Sequence, residues 1–253
     1  MNKKLLFGFL VLYCAVETAF AQRQTTPARY QQAVQRSYIY ESGPSHYFRK
    51  IEMGFRFAPL LSANSLETDG VFDGTVNNGA AMRMSIGPYG DLFFAENYAF
   101  GTGLFYTVKR ASVLTPKSFP KEVGVSSEGS YNLQYLQIPL TIKMFTNELV
   151  RDTRFYVQCG GLAEVKLAEK PLDKNVNALY RYYQTTSAPG EVLRLFSFAD
   201  FGMVLGIGAE YEIGGGLRLL TGLTYNRGLT DVMRDKNLSM KNNVFCFDLG
   251  VKF

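Results

Sequence analysis

The sequence is poor in the residues that catalysis and metal binding most often use. His46 is its one histidine. No HExxH run and no Cys/His group with zinc spacing occurs, so neither a metal centre nor a cofactor is expected. Hydrolases and acyltransferases that pair histidine with serine or aspartate would have to use His46, which precedes the first predicted strand and lies far from the long loops. The chain is therefore read as no enzyme. Cysteine is equally sparse. Of the three, Cys14 falls in an N-terminal apolar run, leaving Cys159 and Cys246, too few for a disulfide framework. They are placed on opposite faces of different strands, with no bond between them. No Lys/Arg block is present, which argues against nucleic acid as a partner. After residue 21 no apolar run of about 18 residues occurs, so no helix is expected to span a membrane. Any crossing must be made by strands.

What is present begins with an export signal. Asn2, Lys3 and Lys4 precede the apolar run Leu5 to Val16, and Ala19-Phe20-Ala21 supplies small residues where a signal peptidase reads. Cleavage after Ala21 leaves Gln22 first. Tyr13 stands before Cys14, where a lipoprotein signal wants a small residue, so lipidation is disfavoured. Losing residues 1–21 removes Lys3, Lys4 and Glu17 and takes the net charge from +5 to +4. Residues 22–46 form a polar periplasmic leader, with a short helix conceivable over 28–38 where Tyr30, Val34 and Tyr38 are four apart. Residues 47–253 form the main domain.

That domain divides into eight segments of about ten residues, each alternating apolar with polar, the length a tilted strand needs to cross a bilayer. Ile51, Met53, Phe55 and Phe57 share one face of the first; Phe201, Met203, Leu205 and Ile207 share one face of the sixth. Connections alternate in length. Ala95-Glu96-Asn97, a turn around Thr146 to Asp152, and Ile213-Gly214-Gly215-Gly216 are short. The links 59–81, 111–130, 168–199 and 228–243 are long. The expected fold class is all-β, an eight-stranded antiparallel up-and-down transmembrane β-barrel of the outer-membrane type, both termini periplasmic, closed so that no edge is left unpaired.

In such a barrel the apolar faces meet lipid and the polar faces line the interior. The polar faces carry Lys50, Arg56, Arg83, Lys109, Lys166, Arg218 and Lys252 against Glu52, Asp91, Glu164, Asp200, Glu210, Glu212 and Asp248. An eight-stranded interior is only wide enough for side chains, so these charges are expected to pair and form a plug rather than a pore. Pro88 and Pro139 fall within strands, and bulges or strand ends are expected there. Asp69 and Asp73 flank the Gly70-Val71-Phe72 stretch in the first long loop; turn chemistry is favoured over a weak calcium site. Gly206-Ile207-Gly208 lies in an alternating strand without a following helix and is not a phosphate loop.

The last segment reads VFCFDLGVKF, with Phe245, Phe247, Leu249, Val251 and Phe253 on one face. A strand of this kind ending on an aromatic residue resembles the closing strand of bacterial outer-membrane barrels. That resemblance implies that Phe253, Val251 and Leu249 carry the signal read by the outer-membrane assembly machinery. Tyr135 to Lys143, YLQIPLTIK, resembles a segment of PorT-family barrels, as do Asp200 to Glu210 and Leu223 to Asp231. The PorT resemblance implies a small barrel in the outer membrane of a Gram-negative-type cell, in contact with outer-membrane lipid, and for the name-giving member a part in protein secretion.

In the third long link, Tyr180, Arg181, Tyr182 and Tyr183 combine aromatic and cationic surface of the kind enriched at binding hot spots; packing on the barrel rim is the competing role. The reading is a non-catalytic barrel with a plugged polar interior, acting as envelope scaffold or surface-interaction protein. Two alternatives stand beside it. One is an accessory component of a secretion apparatus touching other envelope or secretion proteins. The other is a soluble periplasmic barrel holding an apolar ligand.

Overall fold

The computed structural model of the chain describes residues 51–115, 127–148, 150–174, 177–186, 194–235 and 237–253. The expected signal peptide with Cys14, the expected leader with its conceivable helix, His46 and Lys50 lie outside the described residues. The ordered elements are β1 (Ile51–Thr68), β2 (Val76–Asn77), β3 (Ala81–Ala95), β4 (Tyr98–Gly103), β5 (Phe105–Thr115), β6 (Ser127–Phe145), β7 (Thr153–Leu172), α1 (Ala178–Thr186), β8 (Ala199–Gly214), β9 (Leu217–Gly228) and β10 (Leu238–Lys252). Every strand pair is antiparallel, and β1 pairs with both β3 and β10, so the sheet closes on itself. β4 and β5 are two halves of one stave. With β2 a two-residue strand in the first loop, ten hydrogen-bonded segments make the eight staves expected from alternation.

The break between β4 and β5 has a local cause. Leu104 faces Pro88 of β3 on one side, and Gly103 faces Pro139 of β6 on the other. Leu104 N donates to Pro88 O at 3.0 Å, but neither proline has an N–H to return. The register runs unshifted across the gap, from Tyr89↔Gly103 to Ile86↔Tyr106 and from Thr102↔Leu140 to Phe105↔Gln137. The expectation of bulges or strand ends at the prolines is thus corrected. Both prolines sit in unbroken strands, and the interruption falls on the stave between them.

The faces fall as the period-two pattern requires. Ile51, Met53, Phe55, Met84, Leu140, Met203, Ile207, Leu223 and Phe247 all face outward. Cys159 is exposed and Cys246 buried, and both are free thiols. Two tight turns close one end, Glu96-Asn97 and Gly215-Gly216. In the second, Gly214, Gly215 and Gly216 have φ of 121°, 67° and 84°, a conformation that excludes side chains at low energy. This is the turn end; the opposite end carries the longer links.

The long links are shorter than the sequence suggests. β1 continues to Thr68, β5 to Thr115 and β7 to Leu172, while β6 starts at Ser127 and β10 at Leu238, all inside stretches expected to be loop. A 20-residue strand is about 65 Å long and rises about 45 Å at a 45° tilt, against a hydrocarbon core of about 30 Å. The wall therefore stands well clear of the membrane at the loop end. There the solvent outside is water, and the polarity of the faces reverses. In β6, Leu136, Ile138, Leu140 and Ile142 point out and Gln137, Thr141 and Lys143 point in; one turn of the pattern earlier, Tyr131, Leu133 and Tyr135 point in and are buried. No bulge in β6 is needed for this. The apolar residues change parity because the wet side changes.

Candidate functional site in the lumen and at the loop end

At the turn end the lumen is a charged floor built on aromatic rings. Lys252, 1% exposed, stands at its centre, with Nζ 2.8 Å from Glu52, 2.8 Å from Asp91 and 2.7 Å from Glu210. These carboxylates come from β1, β3 and β8. Arg218 reaches Glu52 at 2.5 Å and Glu212 at 3.4 Å, Arg154 reaches Glu210 at 2.9 Å, and Lys143 reaches Asp91 at 2.8 Å. Phe93 and Phe145 lie under Lys252 at 5.4 and 5.2 Å, and Arg154 lies over Phe145 at 5.0 Å. Four cations and four carboxylates thus pair in a largely buried layer, and pairing is the condition on which buried charges are tolerated.

Above the floor, Arg56 stacks on Phe105 at 3.9 Å and approaches Asp248 at 3.5 Å. Gln158 donates to Thr224 at 3.0 Å, and Thr224 donates to Asp248. Higher still, Lys109 pairs with Glu164 at 2.5 Å, and Gln137 donates to the same carboxylate. Thr107 donates to Gln137 at 2.6 Å and shares a 2.7 Å hydrogen bond with Ser85. The expected pairing of lumen charges is present, with two changes of membership. Arg83 bonds Met82 O and Asn132 rather than a carboxylate, and Asp200 takes Thr230 at 2.6 Å and Asn242 at 2.9 Å. Lys143 and Arg154 do the pairing that the charge count missed. Lys166 pairs with Glu169, which the bulge at Leu167 turns inward.

The mouth at the loop end is closed by an apolar cap. Tyr131, Leu133, Ala111, Val113 and Met240 of the wall pack with Phe72, Leu179, Leu195, Phe196, Val232 and Met233 of the links. α1 enters this cap through Asn177, whose Oδ1 accepts from Tyr180 N at 3.0 Å as an N-cap. The helix was not foreseen. Its signals were that cap residue and Leu179, Tyr182 and Tyr183 at helical spacing. Of the four candidate contact residues, Tyr182 and Tyr183 turn into the cap, with ring centroids 5.6 and 6.2 Å from Phe72. Tyr183 also donates to Asp235 at 2.7 Å; burial first and this carboxylate second push its phenol well above the ordinary range. Tyr180 is half-buried against the cap. Arg181 alone of the four is fully at the surface. Asp69 caps the short 3-10 turn Gly70–Phe72, with Gly70 N donating to its carboxylate at 2.7 Å, and Asp73 N bonds Gly70 O.

Leu249, Val251 and Phe253 point outward on β10, where that strand closes against β1. Phe253 N donates to Met53 O at 2.8 Å, so the last residue is part of the closing ladder.

A family model described as outer membrane protein beta-barrel domain matches residues 20–234. The chain belongs to this family. Membership, together with an apolar outer wall around a charged lumen, makes it an outer-membrane β-barrel and overturns the soluble periplasmic alternative. Among solved structures, Neisserial surface protein A is 11% identical, with 81% of this chain and 96% of that one covered and a TM-score of 0.46. AlkL is 16% identical, covering 80% and 88%, with a TM-score of 0.42. Ail of Yersinia pestis is 8% identical, covering 81% and 100%, with a TM-score of 0.35. Comparison with curated proteins gave no match.

Proposed function

We propose that this family member is a closed, non-catalytic barrel that serves as envelope scaffold or surface-interaction protein, with its turn end in the periplasm and its capped loop end outside the cell. The filled lumen is the observation that carries this reading. Charged floor, Lys109–Glu164 layer and apolar cap succeed one another along the axis, and the cavity between the first two is about 30 Å³. What remains for function is the outer end, a wall that clears the membrane, with α1 packed into its cap through Leu179. On it Arg181, flanked by Tyr180, is the proposed contact. Reconstitution of the full chain into planar bilayers tests the closed lumen: no discrete conductance steps are expected, and steady ion conduction by the intact protein would refute it.

The outward placement of Leu249, Val251 and Phe253 supports their proposed role as the assembly signal. Deleting Phe253 is expected to abolish the compact, heat-modifiable band in outer-membrane fractions, whereas an undiminished band would show that the signal lies elsewhere. The narrower PorT relationship, with its secretion role, rests on the Tyr135–Lys143 resemblance. It requires other envelope proteins to co-purify with the chain and to be lost when residues 22–46 are deleted.

A further inference from the structure

An open groove of about 540 Å³ crosses the lipid-facing wall from β6 to β10. Four strand spacings make it about 19 Å long. It lies between two rows of outward side chains set by the strand register. Cys159, Leu205, Tyr225 and Phe245 stand opposite one another in turn along the row nearer the loop end, and Ile207 faces Leu223 in the row below. The Tyr225 and Phe245 rings stack with centroids 4.6 Å apart where the groove reaches β9 and β10. At its other end Ile142 lies close to the turn end of β6, so the groove descends from β10 towards β6.

Just above the stacked rings the same face turns cationic. Arg227 stands opposite Asn243, Lys241 follows on β10 opposite Ser65 of β1, and both cations are exposed. Neither has an ion pair among the described residues, and Glu67, diagonal to Lys241 across the β1–β10 pair, joins neither. Arg110 on β5, by contrast, is matched by Glu128 at 2.8 Å. Asn243 Oδ1 accepts from Tyr225 Oη at 3.2 Å, which leaves the amide N–H2 as a donor. The site therefore offers donors and positive charge. Its height fits a headgroup. From Lys252 to Lys241, β10 climbs about 26 Å at 3.3 Å per residue and a 45° tilt, against an outward apolar band of about 25 Å in such barrels.

We propose that this sector of the wall is a lipid site, in which Arg227, Lys241 and Asn243 hold the phosphate of an anionic membrane lipid and the groove below them holds one of its acyl chains. Guanidinium, ammonium and amide donors on one oxyanion make charge-assisted hydrogen bonds, and the guanidinium fork matches two phosphate oxygens. A free anion would leave the groove unused, and an uncharged lipid would leave both cations unmatched. The stacked Tyr225 and Phe245 lie where the lipid passes from headgroup to chain, the level at which aromatic girdles stand. This assignment needs only the lipid-facing wall and is independent of the Arg181 contact at the outer end.

The test is to refold the full chain into vesicles of equal parts phosphatidylglycerol and phosphatidylcholine, purify it in detergent and quantify the lipid it retains. Wild type is expected to retain phosphatidylglycerol in preference, by about fivefold for each cation. Arg227→Gln with Lys241→Gln should keep the heat-modifiable band and bring the ratio close to one; a ratio that stays at the wild-type value would overturn the headgroup assignment. Cys159→Phe fills the groove and leaves the cations in place, so retained phosphatidylglycerol should fall. Thr221→Phe, in a second groove of about 530 Å³ nearer the turn end, should leave retention unchanged. Equal retention by wild type and Cys159→Phe, or equal loss in the two groove variants, would show that no chain is seated there. A wash with inorganic phosphate should remove no more lipid than sodium chloride of the same ionic strength, and selective displacement by phosphate would reveal a bare ion site instead.

Discussion

Lys252 offers the sharpest test of the plug. Its ammonium lies 2.7–2.8 Å from three carboxylates, and at an effective dielectric constant near 20 each contact is worth about 6 kcal/mol before costs. Dehydration of the lysine and repulsion among the carboxylates offset most of that attraction. Removing it with Lys252→Met does not strand any carboxylate, because Glu52 keeps Arg218, Asp91 keeps Lys143 and Glu210 keeps Arg154. It does leave three cations facing four carboxylates in a buried layer. Loss of one partner from a buried ion pair destabilises by about 3–5 kcal/mol, and the same range is expected here. Equilibrium urea unfolding of the refolded protein in lipid vesicles reads it directly. Adding Glu210→Gln restores the charge balance, so the double variant should recover part of the loss and give a non-additive cycle. Were Lys252→Met to unfold within about 1 kcal/mol of wild type, or the two losses simply to add, the paired floor would not be what stabilises this lumen.

Three further outcomes follow from other parts of the wall. Ile207→Arg places a charge on the lipid face, where Ile207 is 59% exposed, and should destabilise the vesicle-bound barrel by about 2–4 kcal/mol if the site is near the midplane; an unchanged unfolding midpoint would contradict the lipid-facing assignment. Gly87→Ala would put a Cβ 2.0 Å from Leu104 O, against the interrupted stave, and should cost about 1–3 kcal/mol on the same scale, whereas a neutral result would mean that the β4/β5 junction yields freely. Glu128, beyond the membrane at the start of β6, is held below its ordinary 4.5 by hydrogen bonds from Ser130 and Ser112 and by Arg110. Because its folded value is depressed, its contribution is present above pH 4.5 and lost as the pH falls through that lowered value. Amide exchange around Ser112 and Ser130, compared at pH 6 and pH 3.5 after correction for the intrinsic rate, should show faster local opening at the lower pH; equal protection would remove the carboxylate from the account.

The sequence by itself determined the wall. Alternation with period two is a local property, so the outward Ile51, Met203 and Phe247 and the inward Asp91, Glu164 and Lys252 are legible without knowing any partner. The turn chemistry of Gly214-Gly215-Gly216 is local in the same sense. Pairing is not. Lys252 meets Glu52, Asp91 and Glu210 only because closure and register bring strands distant in sequence to one level of the lumen, so Lys143 and Arg154 enter the ion pairs, and Arg83 and Asp200 stay out of them, without any change in the strand pattern. The rule that apolar faces look outward also holds only where lipid is outside. From Tyr131 to Tyr135, and in the links that supply Phe72, Leu179 and Val232, the outer solvent is water and the apolar residues turn in. Strands expected to end at the membrane leave Phe72, Leu179 and Val232 in loops, where α1 is not foreseen. Where the membrane stops, the same alternation acquires the opposite meaning, and only the tertiary structure shows where that is.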